Sequence, residues 1–529
     1  MTAASPVTEQ PRVVEGWRQL HPHTVWVTAL TIAGILAGIA IPIIIGMADD
    51  TPIWMSALIA LAGITVLSGL AAVADLMRWR YTTYRVTNER VELRYTWVLH
   101  KQRSVPRDRV RTVDLTANPL LRLFGLTKVT IGTGQQTTEH SHVTLDPVAR
   151  SEAEELRRVL LRRAADPVET GPEIATLNWQ WIRYAPISVT TPVLGAAAFG
   201  AVMQVSDWFH LQGRVFRTVR DLFGGLSVGG LIAVLVAVAI VVGVIGSLGL
   251  FVEMWYRYRL SREDGNLVMT RGLLTTRSLS LEHRRLRGVE LVEPLGARFT
   301  GAARIDVIAT GMTKKSDDDK TDPKTILPSS PYETARAVAA EVLGSSAATA
   351  TKISPHPRAA LRRRVRWSLY TALSVSALLA LLGLLLTPVL LHLAWIALVT
   401  LTPLGLLLAR ESYRNLGHGL AKDHLITRHG VGARRTAALL RHGVIGWTIT
   451  SSPFQRRAGL ITLHATIAAN KGAYPIYDIG TEEALTFAAE AVPALLTPFL
   501  EREDLNPPTN TDPDPSLPHE ADAEGVLDA

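Results

Sequence analysis

Arginine side chains have the clearest spacing for chemistry in this sequence, because they cluster in short runs. The runs comprise Arg103, Arg107, Arg109 and Arg111, then Arg284, Arg285 and Arg287, and finally Arg434, Arg435 and Arg441. In an alternating strand Arg107, Arg109 and Arg111 would share one side, opposite a core-facing Val110. Basic side chains beside a membrane attract anionic headgroups at roughly 1 kcal/mol each. We therefore predict that the first two runs contact anionic phospholipid or a partner. The alternative, that the arginines serve only topology and solubility, stays open.

Most catalytic spacings that we can name are missing from the chain. It contains no GxxxxGKS or GxxxxGKT, no HExxH, and no GxGxxG after a strand. One GxSxG string, at 225–229, falls at the start of an apolar stretch and lacks the preceding strand that a nucleophile elbow requires. It also contains no cysteine, which excludes disulfides, thiolate metal sites and cysteine nucleophiles. Glu139, His140 and His142 come closest to a metal site, but only the two histidines would share a strand face, and two imidazoles make a poor site. We predict no enzyme, no catalytic residue, no cofactor and no metal.

Three acidic residues lie at the ends of apolar segments. The central parts of these segments carry no charge, whereas Asp75, Glu253 and Glu411 sit where the segments end. Charges inside a bilayer are costly and usually functional, so these residues raise the alternative of a subunit of an export or transport system. The simpler interpretation is local ion pairing: Asp75 with Arg78, Glu253 with Arg257, and Glu411 with Arg410 or Arg414.

Six apolar stretches must position these residues. Hydrophobic residues form 47% of the 529, and the mean hydropathy is +0.18. A helix needs about 20 apolar residues to cross the hydrocarbon core of a membrane. We predict six transmembrane helices in three hairpins, at about Val25–Met47, Trp54–Leu76, Ala185–Val205, Leu226–Phe251, Trp367–Leu386 and Leu390–Leu408.

The distribution of basic residues predicts orientation. The first short loop carries Asp49 and Asp50 but no Lys or Arg, whereas arginines follow the second helix and precede the fifth. By the positive-inside rule, both termini and the large polar segments are cytoplasmic in a multi-pass cell-membrane protein. The loop 206–225 does not fit, because it holds Arg214, Arg217 and Arg220. An interfacial helix or a basic outer patch would explain it.

The polar segments after the three hairpins repeat one another. The first contains Tyr84-Arg-Val-Thr-Asn-Glu-Arg-Val, Arg103-Ser-Val-Pro-Arg-Asp-Arg-Val and Asn118-Pro-Leu-Leu-Arg-Leu-Phe-Gly-Leu. The second has Tyr258-Arg-Leu-Ser, and the third keeps Ser452-Pro-Phe-Gln-Arg-Arg-Ala-Gly-Leu. Each shows short alternating runs, typical of strands, followed by a helical pattern. The helical patterns cover Ser151–Arg163, Tyr332–Leu343 and Glu482–Ala494. A curved antiparallel sheet capped by one helix is the expected packing.

These motifs resemble bacterial membrane proteins with repeated pleckstrin-homology-like (PH-like) domains, formerly a domain of unknown function. The resemblance covers nearly the whole chain, most loosely in the third copy. It implies a seven-stranded barrel with a helix for each copy. Some relatives are associated with envelope stress or tolerance of antimicrobial peptides. As a partner, we also consider a second membrane protein of the same family.

The predicted fold is therefore a helical membrane protein with three cytoplasmic PH-like small β-barrels, each capped by a C-terminal helix. The predicted division is an N-terminus at 1–24, hairpins at 25–77, 185–254 and 367–410, modules at 78–165, 255–345 and 411–500, and a disordered acidic tail at 501–529. The modules would make the chain a non-enzymatic scaffold. Nucleic-acid binding is disfavoured, because aromatic residues are not interleaved with the basic runs.

Overall fold

The computed structural model describes most of the chain. Described are residues 16–46, 52–87, 89–96, 100–107, 110, 112–132, 142–161, 170–188, 190–208, 225, 227–263, 265–310, 324–469 and 472–496. Several predictions fall outside these residues: Glu139 and His140, Arg109 and Arg111, the arginines of the loop 206–225, and the tail at 501–529.

The first repeat begins with a short strand before its hairpin. Its elements are β1 (Arg18–Gln19), α1 (Thr24–Gly46), α2 (Ile53–Tyr81), β2 (Thr82–Val86), β3 (Arg90–Thr96), β4 (His100–Pro106), β5 (Thr112–Ala117), α3 (Pro119–Leu123), β6 (Leu126–Gly132), β7 (His142–Ala149) and α4 (Arg150–Leu161). The helix α4 completes the core of this repeat, because Ala153, Leu156 and Leu160 pack with Val113 and Val129.

The second repeat has the same order of elements. They are β8 (Thr170–Thr176), a 3₁₀ segment (Trp179–Ile187), α5 (Thr190–Trp208), α6 (Val228–Trp255), β9 (Arg259–Glu263), β10 (Asn266–Arg271), β11 (Thr276–Glu282), β12 (Leu286–Pro294), α7 (Leu295–Phe299), β13 (Ala302–Ala309), β14 (Thr325–Pro331) and α8 (Tyr332–Leu343).

The third repeat differs at its start, where an isolated bridge between Ser354 and His418 replaces the first strand. Its elements are α9 (Ala347–Ala350), α10 (Arg358–Leu385), α11 (Val389–Arg414), β15 (Gly417–Leu420), β16 (His424–His429), β17 (Ala433–Leu440), β18 (Val444–Thr450), α12 (Pro453–Arg456), β19 (Leu460–Ile467), β20 (Ala473–Gly480), α13 (Thr481–Ala491) and α14 (Pro493–Leu496). The three predicted C-terminal helices are thus present as α4, α8 and α13.

Five described helices are long and apolar enough to cross a membrane: α1, α2, α6, α10 and α11. Their large apolar side chains point outward, as a lipid environment requires. The predicted third span, Ala185–Val205, is not one straight helix. The 3₁₀ segment and α5 are bent by 70°, and Pro186 lies inside the 3₁₀ segment, where it cannot donate a backbone hydrogen bond. The two pieces together could form a sixth span.

The sheets cross the boundaries between repeats. One has the order β7-β6-β5-β11-β10-β9-β8 and joins the first repeat to the second. Another has the order β14-β13-β12-β17-β16-β15 and joins the second to the third. Both joining pairs, β5 with β11 and β12 with β17, are antiparallel. The prediction of separate modules did not include this pairing, which makes the three repeats one continuous array.

Candidate functional site

Two arginines of the sequence runs, one from the first run and one from the third, hold the ends of helices. Arg107 donates to the carbonyl of Val159 in the last turn of α4, and burial lowers the pKa of this guanidinium. Arg441 donates to the carbonyl oxygens of Ala491, at 2.7 Å, and Glu490, at 2.6 Å, at the end of α13. The last carbonyls of a helix lack partners within it, so these arginines satisfy them.

Two arginines of the third run join two repeats. Arg434 forms a two-pronged ion pair with Glu293, with 2.7 Å between Nε and Oε1. The Arg435 guanidinium lies 3.3 Å from Glu290. Both glutamates are buried on β12, and the hydrogen bond to Glu293 raises the pKa of Arg434. The charges therefore stabilise the junction between β12 and β17.

The remaining predicted arginines have mixed surroundings. Arg285 pairs with Glu282 at 2.8 Å, and the half-buried Arg287 lies against Gly443 of the third repeat. Arg284 is exposed. Arg103 is half-buried and lines a cavity of about 490 Å³ beside Arg78 and Asp146. Contact of these arginines with lipid stays a prediction.

The acidic residues have local partners, but only one has the predicted partner. Asp75 pairs with Arg78 at 2.9 Å, as predicted, and accepts a hydrogen bond from Thr28 of α1 at 3.1 Å. Glu253 does not pair with Arg257. Its carboxylate accepts the backbone N–H groups of Leu274 and Thr275, each at 3.0 Å.

The predicted pairing of Glu411 was also wrong. Its carboxylate pairs with Arg298 of the preceding repeat and accepts from the Asn415 amide at 2.9 Å. Sequence neighbours such as Arg410 and Arg414 were the obvious candidates, but the shared sheet brings α7 to the end of α11. These contacts are structural, so they do not favour a transport pathway.

Three short helices form a feature that the sequence interpretation missed. They are α3, α7 and α12, which we call the surface helices. Each lies beside the first residues of a hairpin. The helix α3 packs on Val27, and Gly296 of α7 lies against Ile187. Phe454 of α12 contacts Trp367 edge to face, with ring centroids 5.7 Å apart. The surface helices therefore lie where the hairpins leave the modules.

Each surface helix exposes a large apolar side chain. Leu123 of α3 is 77% exposed, Phe299 of α7 is 81% exposed, and Phe454 of α12 is 48% exposed. Leu123 and Phe299 occupy the same position in their repeats, whereas Phe454 lies three residues earlier. Beside these side chains stand the equivalent arginines Arg122, Arg298 and Arg456. Apolar tips next to basic residues are typical of segments that lie in a membrane interface.

Local sequence explains the surface helices. The Asn118 side chain accepts from the Leu121 N–H at 2.8 Å, and Ser452 forms a capping box with Gln455. Pro119 and Pro453 follow these caps at the first helical position, where the missing N–H costs nothing. The signal was visible in the spacing of Pro119, Arg122 and Gly125, which recurs in the third repeat as Pro453, Arg456 and Gly459.

A cavity of about 670 Å³ lies between the third hairpin and its sheet. Its polar end holds the buried carboxylate of Asp478, which Arg363 and Arg364 contact at 2.7 and 2.8 Å. Its apolar end lies between α10 and α11, at Leu401 and Leu404. The Asp478 carboxylate already pairs with both guanidinium groups, so the cavity offers an amphiphile mainly its apolar end.

A buried histidine pair lies behind this cavity. Nδ1 of His418 is 3.1 Å from Nε2 of His356, and burial lowers the pKa of each to about 4. Glu483 lies 3.4 Å from the other nitrogen of His418. Within the described residues, no group of three or more His, Asp or Glu is placed to hold a metal.

Comparison with known sequences settles the family. A profile described as Bacterial PH domain matches residues 27–164, 214–345 and 374–490. The chain belongs to this family. The bacterial PH domain thus occurs three times, as the internal repeat predicts, and each match takes in hairpin residues together with the sheets that follow. The chain is a membrane protein with three such repeats.

One curated relative gives a more distant likeness. The UPF0699 transmembrane protein YdbT of Bacillus subtilis (strain 168) is 20% identical over 259 residues, which cover 45% of this chain and 51% of YdbT. The chain therefore spans about half the length of that relative. No solved structure matches the chain.

Proposed function

We propose that this bacterial PH-domain protein is a non-enzymatic scaffold of the cell membrane. Its three modules, at 78–165, 255–345 and 411–500, form one array at the cytoplasmic face and contact anionic lipid. The observation that carries the proposal is the pairing of successive modules through β5–β11 and β12–β17. Such pairing holds the modules at fixed spacing, as a scaffold requires.

Lipid contact is supported by the surface helices. Their exposed residues Leu123, Phe299 and Phe454 lie beside the starts of the hairpins, where the proposed orientation puts the headgroups. Arg456 at the end of α12 and Arg457, the residue after it, are exposed near Phe454. A basic and apolar segment of this kind gains free energy from anionic headgroups and from the burial of its apolar tip. Export or transport, the alternative from the sequence, has no comparable support, because Asp75, Glu253 and Glu411 serve local structure.

Hydrogen exchange on the full chain tests lipid contact. The protein is reconstituted in nanodiscs of zwitterionic lipid or of zwitterionic lipid mixed with phosphatidylglycerol. We expect slower exchange in 119–123, 295–299 and 453–456 when the anionic lipid is present, and loss of this protection at high salt, because surface attraction is screened.

A charge variant localises the effect. Arg456→Gln with Arg457→Gln should remove the anionic-lipid protection of 453–456 only. Arg150→Gln, on the exposed surface of α4, is the matched control. Equal exchange in both lipids would refute contact between the surface helices and anionic lipid. A protein partner would then be the alternative ligand of the modules.

A further inference from the structure

The two junctions between repeats are built in the same register. Each repeat contains an equivalent hairpin, namely β3–β4, β10–β11 and β16–β17. The same position in the second strand of these hairpins is occupied by Lys101, Arg277 and Arg435, respectively. Their partners across the hairpin are Tyr95, Arg271 and His429. The residue after the second of these, Ser278, pairs with Leu115 of β5. The residue after the third, Thr436, pairs with Leu291 of β12. Leu115 and Leu291 are themselves equivalent, three residues before the N-caps of α3 and α7.

Repetition of this junction leaves one edge open at each end of the array. Among the described strands, β4 ends its sheet in the first repeat and β18 ends its sheet in the third. The strand β4 is equivalent to β11 and β17, and β18 is equivalent to β5 and β12. At the internal junctions a strand equivalent to β18 pairs with a strand equivalent to β4. The two open edges are therefore of complementary types.

Exposure of β18 shows what the junction normally covers. Ile449 is equivalent to Leu115 and Leu291, three residues before the N-cap of α12. Leu115 is 6% exposed and Leu291 is 6% exposed, whereas Ile449 is 47% exposed. The strand β18 contains no charge and no proline. Soluble proteins usually protect a sheet edge with such residues, because an unprotected edge pairs with other strands.

A side chain beside β18 also lacks the contact that its equivalents make. Arg122 donates to the Leu273 carbonyl of the second repeat, and Arg298 pairs with Glu411 of the third. Both arginines thus reach from one repeat into the next. The equivalent Arg456 is exposed and contacts no acceptor in the part of the chain that the structure describes.

We propose that copies of this protein join head to tail, with β18 of one copy pairing antiparallel with β4 of the next. In the register of the internal junctions, Ile449 lies opposite Gln102. Pro106, which lacks an N–H, falls beyond the paired residues, because the equivalent Glu282 lies outside the β5–β11 pairing. The junction repeats the operation that relates successive repeats, so the first hairpin of the next copy enters the same membrane. Such a heterologous contact gives a ring if it closes and a filament if it does not.

Charge distinguishes this junction from the two internal ones. Glu290 and Glu293 of β12 pair with arginines of β17, whereas β18 offers no carboxylate to Lys101 or Arg103 of β4. Main-chain hydrogen bonds and the burial of the Ile449 side chain stabilise the copy-to-copy junction instead. The copy-to-copy junction is therefore weaker than the internal ones and depends on copies being concentrated in a membrane.

Cysteine cross-linking in membranes tests the register, and the natural chain contains no cysteine to interfere. Two full-length chains with different tags are co-expressed, one with Ile449→Cys and the other with Gln102→Cys. Opposed Cα atoms in antiparallel strands are about 4.5–5.5 Å apart, within the range of a disulfide. We expect mild oxidation to give a linked pair that carries both tags.

The matched control shifts the register by one residue. Thr448→Cys replaces Ile449→Cys, and its side chain points to the opposite face of the sheet. We expect at least tenfold less linked product. Failure of the Ile449–Gln102 pair to exceed this control would overturn the proposal.

A second measurement does not depend on cysteine chemistry. Energy transfer between donor-tagged and acceptor-tagged chains in liposomes should be strong for the natural sequence. Ile449→Lys should reduce it to the level of unrelated membrane proteins, because a lysine guards an edge without disturbing the exposed strand. Unchanged transfer would also overturn the proposal. Both tests are independent of lipid contact, because they use the opposite ends of the array and not the exchange of the surface helices.

Discussion

At the scale of single residues, the arginines illustrate what spacing can and cannot predict. Their clustering was visible in the sequence, but the role of Arg441 depends on a helix that begins 40 residues later. Arg434 likewise meets Glu293 only because two distant strands pair. The sequence could not predict which arginines become buried, because those contacts are long-range. Predictions from immediate neighbours succeeded for Asp75 and Arg78, which are one helical turn apart.

Arg441→Gln should lower the free energy of unfolding by roughly 1–3 kcal/mol, because carbonyls at the end of α13 lose charged donors. Thermal unfolding in detergent, followed by tryptophan fluorescence, measures the change. Arg457→Gln, at an exposed arginine in the same repeat, should leave the midpoint unchanged. Equal midpoints for the two variants would show that Arg441 does not hold this helix.

The histidine pair predicts a loss of stability in acid. His356 and His418 have ordinary pKa values near 6.5 when unfolded and about 4 when folded. As the pH falls from about 6.5 to about 4, the unfolded chain binds protons that the folded chain does not, so the stability decreases. Charged groups that face the pair also affect how steeply stability changes with pH. Asp478 and Arg364 lie near His356. Burial raises the pKa of Glu483, so its protonation in acid favours the folded chain and opposes the effect of the histidines.

The double variant His356→Gln with His418→Gln checks this assignment. Its unfolding midpoint between pH 7 and pH 4.5 should vary less than that of the natural protein. Parallel curves for the two proteins would show that other groups cause the acid sensitivity.

At the scale of elements, local patterns predicted the helices well and the strand partners poorly. About 20 consecutive apolar residues are enough to predict a membrane span. Hydropathy alone therefore predicts five helices, α1, α2, α6, α10 and α11. The bent pair formed by the 3₁₀ segment and α5 departs from the prediction because Pro186 interrupts it. Pairing of β5 with β11 joins residues more than 150 positions apart, and alternation reveals only that a strand exists.

Breaking the ion pair at the second junction should be costly. Glu293→Gln leaves Arg434 partly buried without its carboxylate and should destabilise the chain by about 3 kcal/mol. Chemical denaturation in detergent measures the change, and a double variant with Arg434→Gln should recover part of it. The control is Glu154→Gln, because the exposed Arg150–Glu154 pair should contribute less than about 1 kcal/mol. Similar losses for Glu293→Gln and Glu154→Gln would contradict a role of this pair in joining the repeats.

At the scale of the whole molecule, the repeats act together because they share sheets. The resemblance to repeated PH-like domains indicated three modules but not their connection, since a family pattern describes one repeat at a time. The shared sheets join three small domains into one body. In the proposed scaffold, the surface helices contact the headgroups and the modules present three similar surfaces at fixed separations.

Distance measurement between the outer modules tests the fixed array most directly. Spin labels are attached to Glu154→Cys on α4 and Thr486→Cys on α13, both exposed, and labelled chains are diluted with unlabelled ones in nanodiscs. Pulsed electron resonance should give one narrow distance distribution, unchanged by anionic lipid. A broad or multiple distribution would contradict the account, because it would show that the modules move independently and that the shared sheets do not hold them.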